Sequence, residues 1–396
     1  MTTNLPILKI KKHQEIRLIK GGAWIFSNEI ENFAALKNLE KGALVEVEIR
    51  DSQKFAIAYF NPHSLIAARI LTHNCSEEID EDFFIRKISA AKILRDKFLS
   101  EPFYRLIHSE SDFLPGLIID RFDNVFCCQT STAGMEKLSE VICDALQKIF
   151  PNSAVIFRNE SESRKLEGLD NHSRVAVGEI PKKTQITENG LKFFADISAG
   201  QKTGWFFDQR QNRKFISTIS KDCDVLDAFC YLGAFGINAL AGGAKSVTFV
   251  DSSKDALELA KENAALNFAD KNCEFINEKV YDLFENPEFQ TRQFDLVLLD
   301  PPAFIKSRKD FFSGMKGYEK LVRLAAALVK ENGILMLSSC SHHAATADLI
   351  TAANDGLRKA GRLAKLIRTF GADFDHPLHP AMKESEYLKS LTFILE

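Results

Sequence analysis

From about residue 190 onward, short runs of Val, Ile, Leu and Phe alternate with longer segments whose apolar residues recur at helical spacing. VLDAF precedes INALAGG, SVTFVD precedes DALELAKENAALN, CEFINEKV precedes a short turn, FDLVLLD precedes GYEKLVRLAAALVK, and GILMLSSCS precedes a helix near residues 346–360. Parallel strands cannot be joined by tight hairpins; each needs a crossover, usually a helix, so the repeat predicts a doubly wound α/β sheet. Ligands bind such sheets beyond the carboxyl ends of the strands, which makes the residues just after each strand the place to look for chemistry.

The rest of the chain reads differently. Residues 1–72 hold short strands and turns: LPILKIKKH, GGAWIF with its Gly-Gly break, ALVEVEIR alternating at period two, and KFAIAYFN closed by Asn61-Pro62. This predicts a small, half-open β barrel in which Phe55, Ile57 and Tyr59 form the buried face of a strand rather than a stacking surface for RNA. Residues 73–189 predict an α+β domain: a connecting helix over 81–101, the strands GLIIDRF and NVFCCQT joined at Asp123-Asn124, a helix near 133–149 and the strand AVIFRN. The α/β domain then occupies residues 190–396.

A net charge of −3 excludes attraction of the whole protein to nucleic acid, although residues 1–72 lean basic, with ten Lys/Arg to seven Asp/Glu. The eight cysteines are scattered without CxxC pairs or histidine spacing that suits zinc, so neither a disulfide framework nor a metal site is expected. Cys127, Cys128 and Cys143 lie in apolar runs and read as buried, inert thiols. No secretory signal and no run of about 18 apolar residues occurs, so a cytoplasmic protein without membrane association is expected.

After the first strand of the α/β region the chain runs Asp227-Ala228-Phe229-Cys230-Tyr231-Leu232-Gly233-Ala234-Phe235-Gly236. A glycine-bearing turn between strand and helix lets the backbone approach a ligand closely. The spacing is not GxGxxG and there is no GK[ST], so a pyrophosphate or triphosphate fits poorly. The second strand ends at Asp251-Ser252, where a carboxylate accepts hydrogen bonds from ribose hydroxyls, and Asp282 after the third strand is placed to meet an adenine amino group. Turn and acid point to an adenosine-containing ligand; the plainer alternative for each aspartate is a helix N-cap.

The fourth strand ends in Asp300-Pro301-Pro302-Ala303-Phe304. Two prolines hold the aspartate and the carbonyls after it in an extended turn, which suits a flat base inserted edge-on. The fifth strand ends in Ser338-Ser339-Cys340-Ser341-His342, which brings Cys340 next to Asp300 at the ligand edge. Cytosine C5 is too poor a nucleophile to take a methyl group until a thiolate has added at C6, and of these residues only Cys340 can do that reversibly near neutral pH. Asp300 would then hold N3 of the base. A buried structural thiol is the alternative for Cys340.

These residues resemble the bacterial large-subunit ribosomal RNA cytosine-C5 methyltransferases, and the similarity runs nearly end to end. It rests on FLPGLIIDRF (113–122), RKLEGL (164–169), GQKTGWFFDQR (200–210), DAFCYLGAFG, DPPAF, SCS, His376-Pro377 and Glu386-Tyr387-Leu388-Lys389. GQKTGWFFDQR is the most specific of these. The resemblance implies S-adenosylmethionine as cofactor, a Rossmann-like class I methyltransferase domain with a mostly parallel seven-stranded sheet, and a PUA-like barrel that binds structured RNA. It also implies large-subunit (23S) ribosomal RNA as partner, with room for a homodimer. By resemblance Gln201, Thr203, Gly204, Phe206, Asp208 and Arg210 join Asp227, Phe229, Tyr231, Gly233, Asp251, Ser252, Asp282 and Asp300 at the methyl donor. Pro301, Pro302 and Phe304 face the base, and Cys340 corresponds to the nucleophile. No cysteine follows Asp300-Pro301-Pro302, unlike the two-cysteine RNA methyltransferases, which leaves His342 and Asp300 as candidates for removing the C5 proton.

Two other functions stay open at this point. An RNA N-methyltransferase could use the Asp300–Phe304 turn to accept the hydrogens of an exocyclic amine, with Cys340 structural; a non-catalytic RNA-binding assembly factor could keep the donor fold without turnover.

Overall fold

The computed structural model describes residues 5–50 and 52–396, so the first four residues of the predicted barrel domain, and Asp51 within it, lie outside the described residues. The chain divides into two compact units. Met1–Thr184, Asp196–Phe207 and Phe374–Ser385 form the first; Gln185–Ala195, Asp208–Asp373 and Glu386–Glu396 form the second. Two stretches that strand-helix periodicity assigns to the α/β domain, Asp196–Phe207 and Phe374–Ser385, thus group with the first unit.

The first unit contains two five-stranded sheets. In the N-terminal one, Ile7–Lys9 pairs with Ala43–Ile49, followed by Gln53–Phe60, Ile66–Thr72 and Trp24–Phe26. The ring closes where Ile10 bridges Ile30, with Lys11 N donating to Glu29 O and Glu31 N to Lys9 O, each at 2.8 Å. The barrel is therefore closed rather than half-open. Strand Ile66–Thr72 has no counterpart in the alternation pattern, because its five central residues are all buried and it shows no polar face. Ile57 and Tyr59 are buried as expected, and Tyr59 donates its hydroxyl hydrogen to Pro115 O at 2.8 Å.

In the second sheet the strands Phe103–His108, Leu117–Phe122, Val125–Thr130, Ala154–Asn159 and His172–Val177 lie side by side in chain order. Helix Glu81–Asp96, capped by the Asp80 carboxylate on Phe83 N, buries Phe83, Phe84 and Ile88 in the core of this sheet. The single helix predicted near 133–149 is two, Ala133–Lys137 and Ser139–Ile149. RKLEGL ties the two sheets together. Glu167, 2% exposed, accepts from Asn61 Nδ2 (2.9 Å), Ser64 Oγ (2.8 Å) and Arg69 Nη1 (2.9 Å) of the barrel and from Ala133 N (3.3 Å).

The second unit is built on seven strands: β1 (Asp224–Ala228), β2 (Ser246–Asp251), β3 (Asn272–Asn277), β4 (Phe294–Leu299), β5 (Val329–Ser339), β6 (Ala364–Phe370) and β7 (Lys389–Leu395). Their spatial order is β3-β2-β1-β4-β5-β7-β6. The first five are parallel and β7 is antiparallel to both its neighbours. Helices α1 (Arg210–Ile219), α2 (Ala234–Ala241), α3 (Lys254–Asn267), α4 (Val280–Glu285), α5 (Phe311–Ala326) and α6 (Thr346–Lys359) accompany the sheet. α5 begins before Gly317-Tyr318 and ends before Val329-Lys330, which belong to β5. The strand order reverses beside β1, so the carboxyl ends of β1 and β4 flank the crevice where such sheets bind ligands.

Candidate active site

The turn after β1 is held under strain. Phe229 (φ 63°) and Tyr231 (φ 48°) take left-handed conformations, as does Gly233 (φ 77°). For non-glycine residues this costs about 1–3 kcal/mol each and persists only where the surroundings enforce it. They do so here: Cys230 N donates to Val250 O (3.0 Å), Tyr231 N to the Asp251 carboxylate (2.9 Å) and Gly233 N to Cys230 O (2.7 Å). Asn263, fully buried on α3, donates to Leu232 O at 3.2 Å. Gly236 is needed for contact, since a Cβ there would lie 2.3 Å from Phe249 Cε1.

Asp227 lies beneath the turn, 1% exposed, and accepts from Gly236 N at 2.8 Å. Burial pushes its carboxyl up to about 7; Asp300 and Asp251 push the same way, against the Gly236 N–H and Arg213. Asp251 is a clasp as well as an edge group, with one oxygen on Tyr231 N and the other on Ser253 N (2.8 Å). The N-cap of α3 is Ser253, not Asp251, and the N-cap of α4 is Lys279, with Asp282 exposed in the first turn, so neither aspartate takes the plainer role. Ser252 is exposed beside them.

β4 and β5 are neighbours, with Leu299 opposite Leu337, so Asp300 and Cys340 emerge from the same edge of the sheet. Gln209 Nε2 donates to Asp300 Oδ1 at 3.0 Å, while Gln209 Oε1 accepts from Asn212 at 2.7 Å. Pro301 is buried and Pro302 exposed. The ring of Phe304 packs on Tyr318 with centroids 4.6 Å apart. Tyr318, on α5, places its hydroxyl 2.7 Å from Ser339 Oγ and 2.9 Å from Ser341 Oγ, bracketing Cys340. Cys340 is half-buried, whereas Cys230, after β1, is buried and its thiol is pushed well up by burial. Cys127 and Cys128 are fully buried, and burial pushes both thiols up. His342 is exposed and stacks on Tyr387 at 5.2 Å, and the Tyr387 hydroxyl donates to Asp208 at 2.5 Å.

The segment 200–210 is divided between the units. In the first, Gly204 (φ 99°) donates to Gln201 O at 2.8 Å and approaches Asp196 so closely that a Cβ would lie 2.6 Å from its carbonyl oxygen. Thr203 is buried, and the Lys202 ammonium lies 5.0 Å from the ring centre of half-buried Phe206. In the second, Asp208 meets Tyr387, and buried Arg210 pairs with Asp373 (2.5 Å) and Glu188 (3.7 Å).

A PUA-like domain family matches residues 8–73, and the S-adenosylmethionine-dependent methyltransferase family matches residues 168–393. Proteins named Ribosomal RNA large subunit methyltransferase I are 37% identical over 96% of this chain and 96% of their own, as in Pseudoalteromonas atlantica and Vibrio vulnificus. The chain belongs to the S-adenosylmethionine-dependent methyltransferases. The fold agrees. A Streptococcus mutans chain assigned to these methyltransferases superimposes with a TM-score of 0.83 at 22% identity, covering 98% of this chain and all of its own. A second solved chain, complexed with SAH, gives 0.85 at 23% identity over the same shares.

This methyltransferase uses S-adenosylmethionine, and its sheet edge fits that cofactor chemically. The carboxylates of Asp300 and Asp251 lie close enough to raise the proton affinity of Asp227, and a sulfonium cation relieves that repulsion. Among the described residues no cluster of three metal-ligating side chains occurs, and no helix is long and apolar enough to cross a membrane. Sequence reasoning missed Gln209, Asn263 and Tyr318. The DQR of GQKTGWFFDQR flagged only the residues on either side of Gln209.

Proposed function

We propose that this methyltransferase forms 5-methylcytidine in large-subunit ribosomal RNA, with Cys340 as nucleophile. The substrate class comes from the names of its relatives. The observation that carries the chemistry is the place of Cys340: a half-buried thiol at the carboxyl end of β5, with Asp300 just after the neighbouring strand β4, and bracketed by the Tyr318 hydroxyl.

In this reading the PUA-like barrel of residues 1–72 holds RNA, residues 73–189 connect it, and residues 190–396 hold donor and base. Asp251 has lone pairs left after its two backbone contacts and takes the ribose hydroxyls, flanked by Ser252, while Asp282 meets the adenine. Phe229, Tyr231 and Gly233 present the turn, with Asp227 supporting it from below. Gln201, Thr203, Gly204, Phe206 and Asp208 belong to the donor site, and Arg210 supports it through Asp373 and Glu188. S-adenosylmethionine supplies an electrophilic methyl group when bound.

The cytosine lies against Pro301, Pro302 and Phe304 with Asp300 at N3. The Cys340 thiolate forms a C6–S bond and the C5–C6 double-bond pair moves toward C5, which makes that carbon nucleophilic. After methylation the C5 proton passes to a base, for which Asp300 and His342 are the candidates, the C5–H electron pair re-forms the ring double bond, and the C6–S bond breaks with its pair returning to sulfur. Attack on the ring face requires an unstacked base, so the nucleotide is flipped or already unpaired.

The test is to incubate purified protein with labelled S-adenosylmethionine and unmodified ribosomal RNA, wild type beside Cys340→Ala, and identify methylated nucleosides by mass spectrometry. 5-Methylcytidine from wild type alone is the expected result. An N-methylated base, or an unaffected Cys340→Ala, makes the cysteine structural and moves the chemistry to the Asp300–Phe304 turn.

A further inference from the structure

Lys389 opens β7 and lies opposite Ser339 of β5, one residue before Cys340. Its side chain is 3% exposed. Nζ donates to Ser341 O at 2.9 Å and to Tyr387 O at 3.0 Å, and it forms no ion pair with any carboxylate among the described residues. A buried ammonium satisfied only by carbonyl oxygens pays a desolvation cost that a nearby anion would offset. The ionisable groups that act on it are Cys340 at the end of β5, Glu386 just before β7 and Asp348 on α6, and Cys340 acts in turn on the Tyr318 phenol on α5. Tyr387, whose carbonyl accepts from Nζ, carries the stacked ring of exposed His342.

We propose that Lys389 is a positioning residue for methyl transfer: its buried ammonium is the counter-ion of the Cys340 thiolate, and its bond to Ser341 O fixes the backbone that carries the sulfur. The charge balance around it agrees. Burial pulls the lysine below its usual range, and Glu386, Cys340 and Asp348 pull it back up, so ammonium and thiolate stabilise each other. Cys340 thereby reacts as an anion at neutral pH.

The inference rests on Cys340 being the nucleophile, but its test reads the sulfur and not the reaction. Full-length protein, free of RNA and donor, is alkylated with iodoacetamide across a pH series, and the peptide carrying Cys340 is quantified by mass spectrometry. Wild-type protein unfolded in urea supplies the reference titration. The midpoint for folded wild type should lie about 1–3 pH units below that reference, the usual effect of a neighbouring opposite charge. Lys389→Arg should keep most of the shift, and Lys389→Gln, which can still donate to a carbonyl but carries no charge, should abolish it. A Lys389→Gln protein that titrates like wild type overturns the proposal. So does a wild-type midpoint at or above the unfolded reference, which needs no variant to fold. A lowered Cys340 midpoint in an enzyme that makes no 5-methylcytidine sinks the function reading alone; an unshifted midpoint in an active enzyme sinks the role of Lys389 alone.

Discussion

Asp227→Asn should stabilise the protein, by an amount that depends on pH in a defined way. Asp227 is 1% exposed and its carboxyl is pushed up to about 7, chiefly by burial. In the unfolded chain an aspartate titrates near 3.9. Between these values the unfolded state releases a proton that the folded state keeps, so rising pH drains stability from wild type across that window. Above both values the loss levels off at about three units, or ~4 kcal/mol at 1.36 kcal/mol per unit. Asparagine has nearly the same shape, keeps an oxygen to accept from Gly236 N at its present 2.8 Å, and does not ionise. The variant should therefore match wild type near pH 4 and exceed it by up to ~4 kcal/mol at pH 8. Urea unfolding followed by far-UV circular dichroism at several pH values measures the difference, in which the titrating groups not coupled to Asp227 cancel. A stability difference that stays flat from pH 4 to 8, or favours wild type at the alkaline end, would refute the reasoning.

Two other perturbations follow from the structure. Glu167→Gln removes the carboxylate from a buried pair and leaves Arg69, 8% exposed, without its 2.9 Å partner, so the first unit should lose about 3–5 kcal/mol in urea unfolding. Burial raises that carboxyl, but Arg69, Asn61 and Ser64 outweigh it and hold it below the ordinary range, so the pairing is present above pH ~4.3 and lost as acid titrates the folded value. Gln209→Leu frees the Asp300 carboxylate from its 3.0 Å donor. It should lower kcat at least tenfold while changing S-adenosylmethionine affinity, read by calorimetry, by less than about threefold, because a group that orients a reacting neighbour acts mostly on the chemical step. An unchanged kcat would show that Asp300 is held well enough without it.

Elements with a strong local cause were legible in the sequence. Central strands such as LVLL are covered on both faces, so they read as unbroken apolar runs, and each connecting helix carries its own period. The strained turn, Asp300-Pro301-Pro302 and Cys340 all follow strand ends, where the topology makes position predictable. Ile66–Thr72 was not legible in this way, because its buried run is interrupted by the buried Arg69. Roles that depend on distant register were not legible. Gln209 reaches Asp300 across 91 residues and Lys389 reaches Ser341 across 48, and no local period encodes either distance. Asp251 was placed correctly on a strand end, but its hold on Tyr231 N depends on a left-handed backbone at a residue type that rarely adopts one.

The covalent step can be tested directly with ribosomal RNA carrying 5-fluorocytidine. Fluorine at C5 cannot leave as a proton does, so methylation would strand the C6–S bond. Wild-type protein with S-adenosylmethionine should give an RNA–protein species that survives denaturing electrophoresis and maps by mass spectrometry to Cys340, and Cys340→Ser should give none. Methylation of this RNA with no denaturant-stable species, or an adduct at any other residue, would contradict the account.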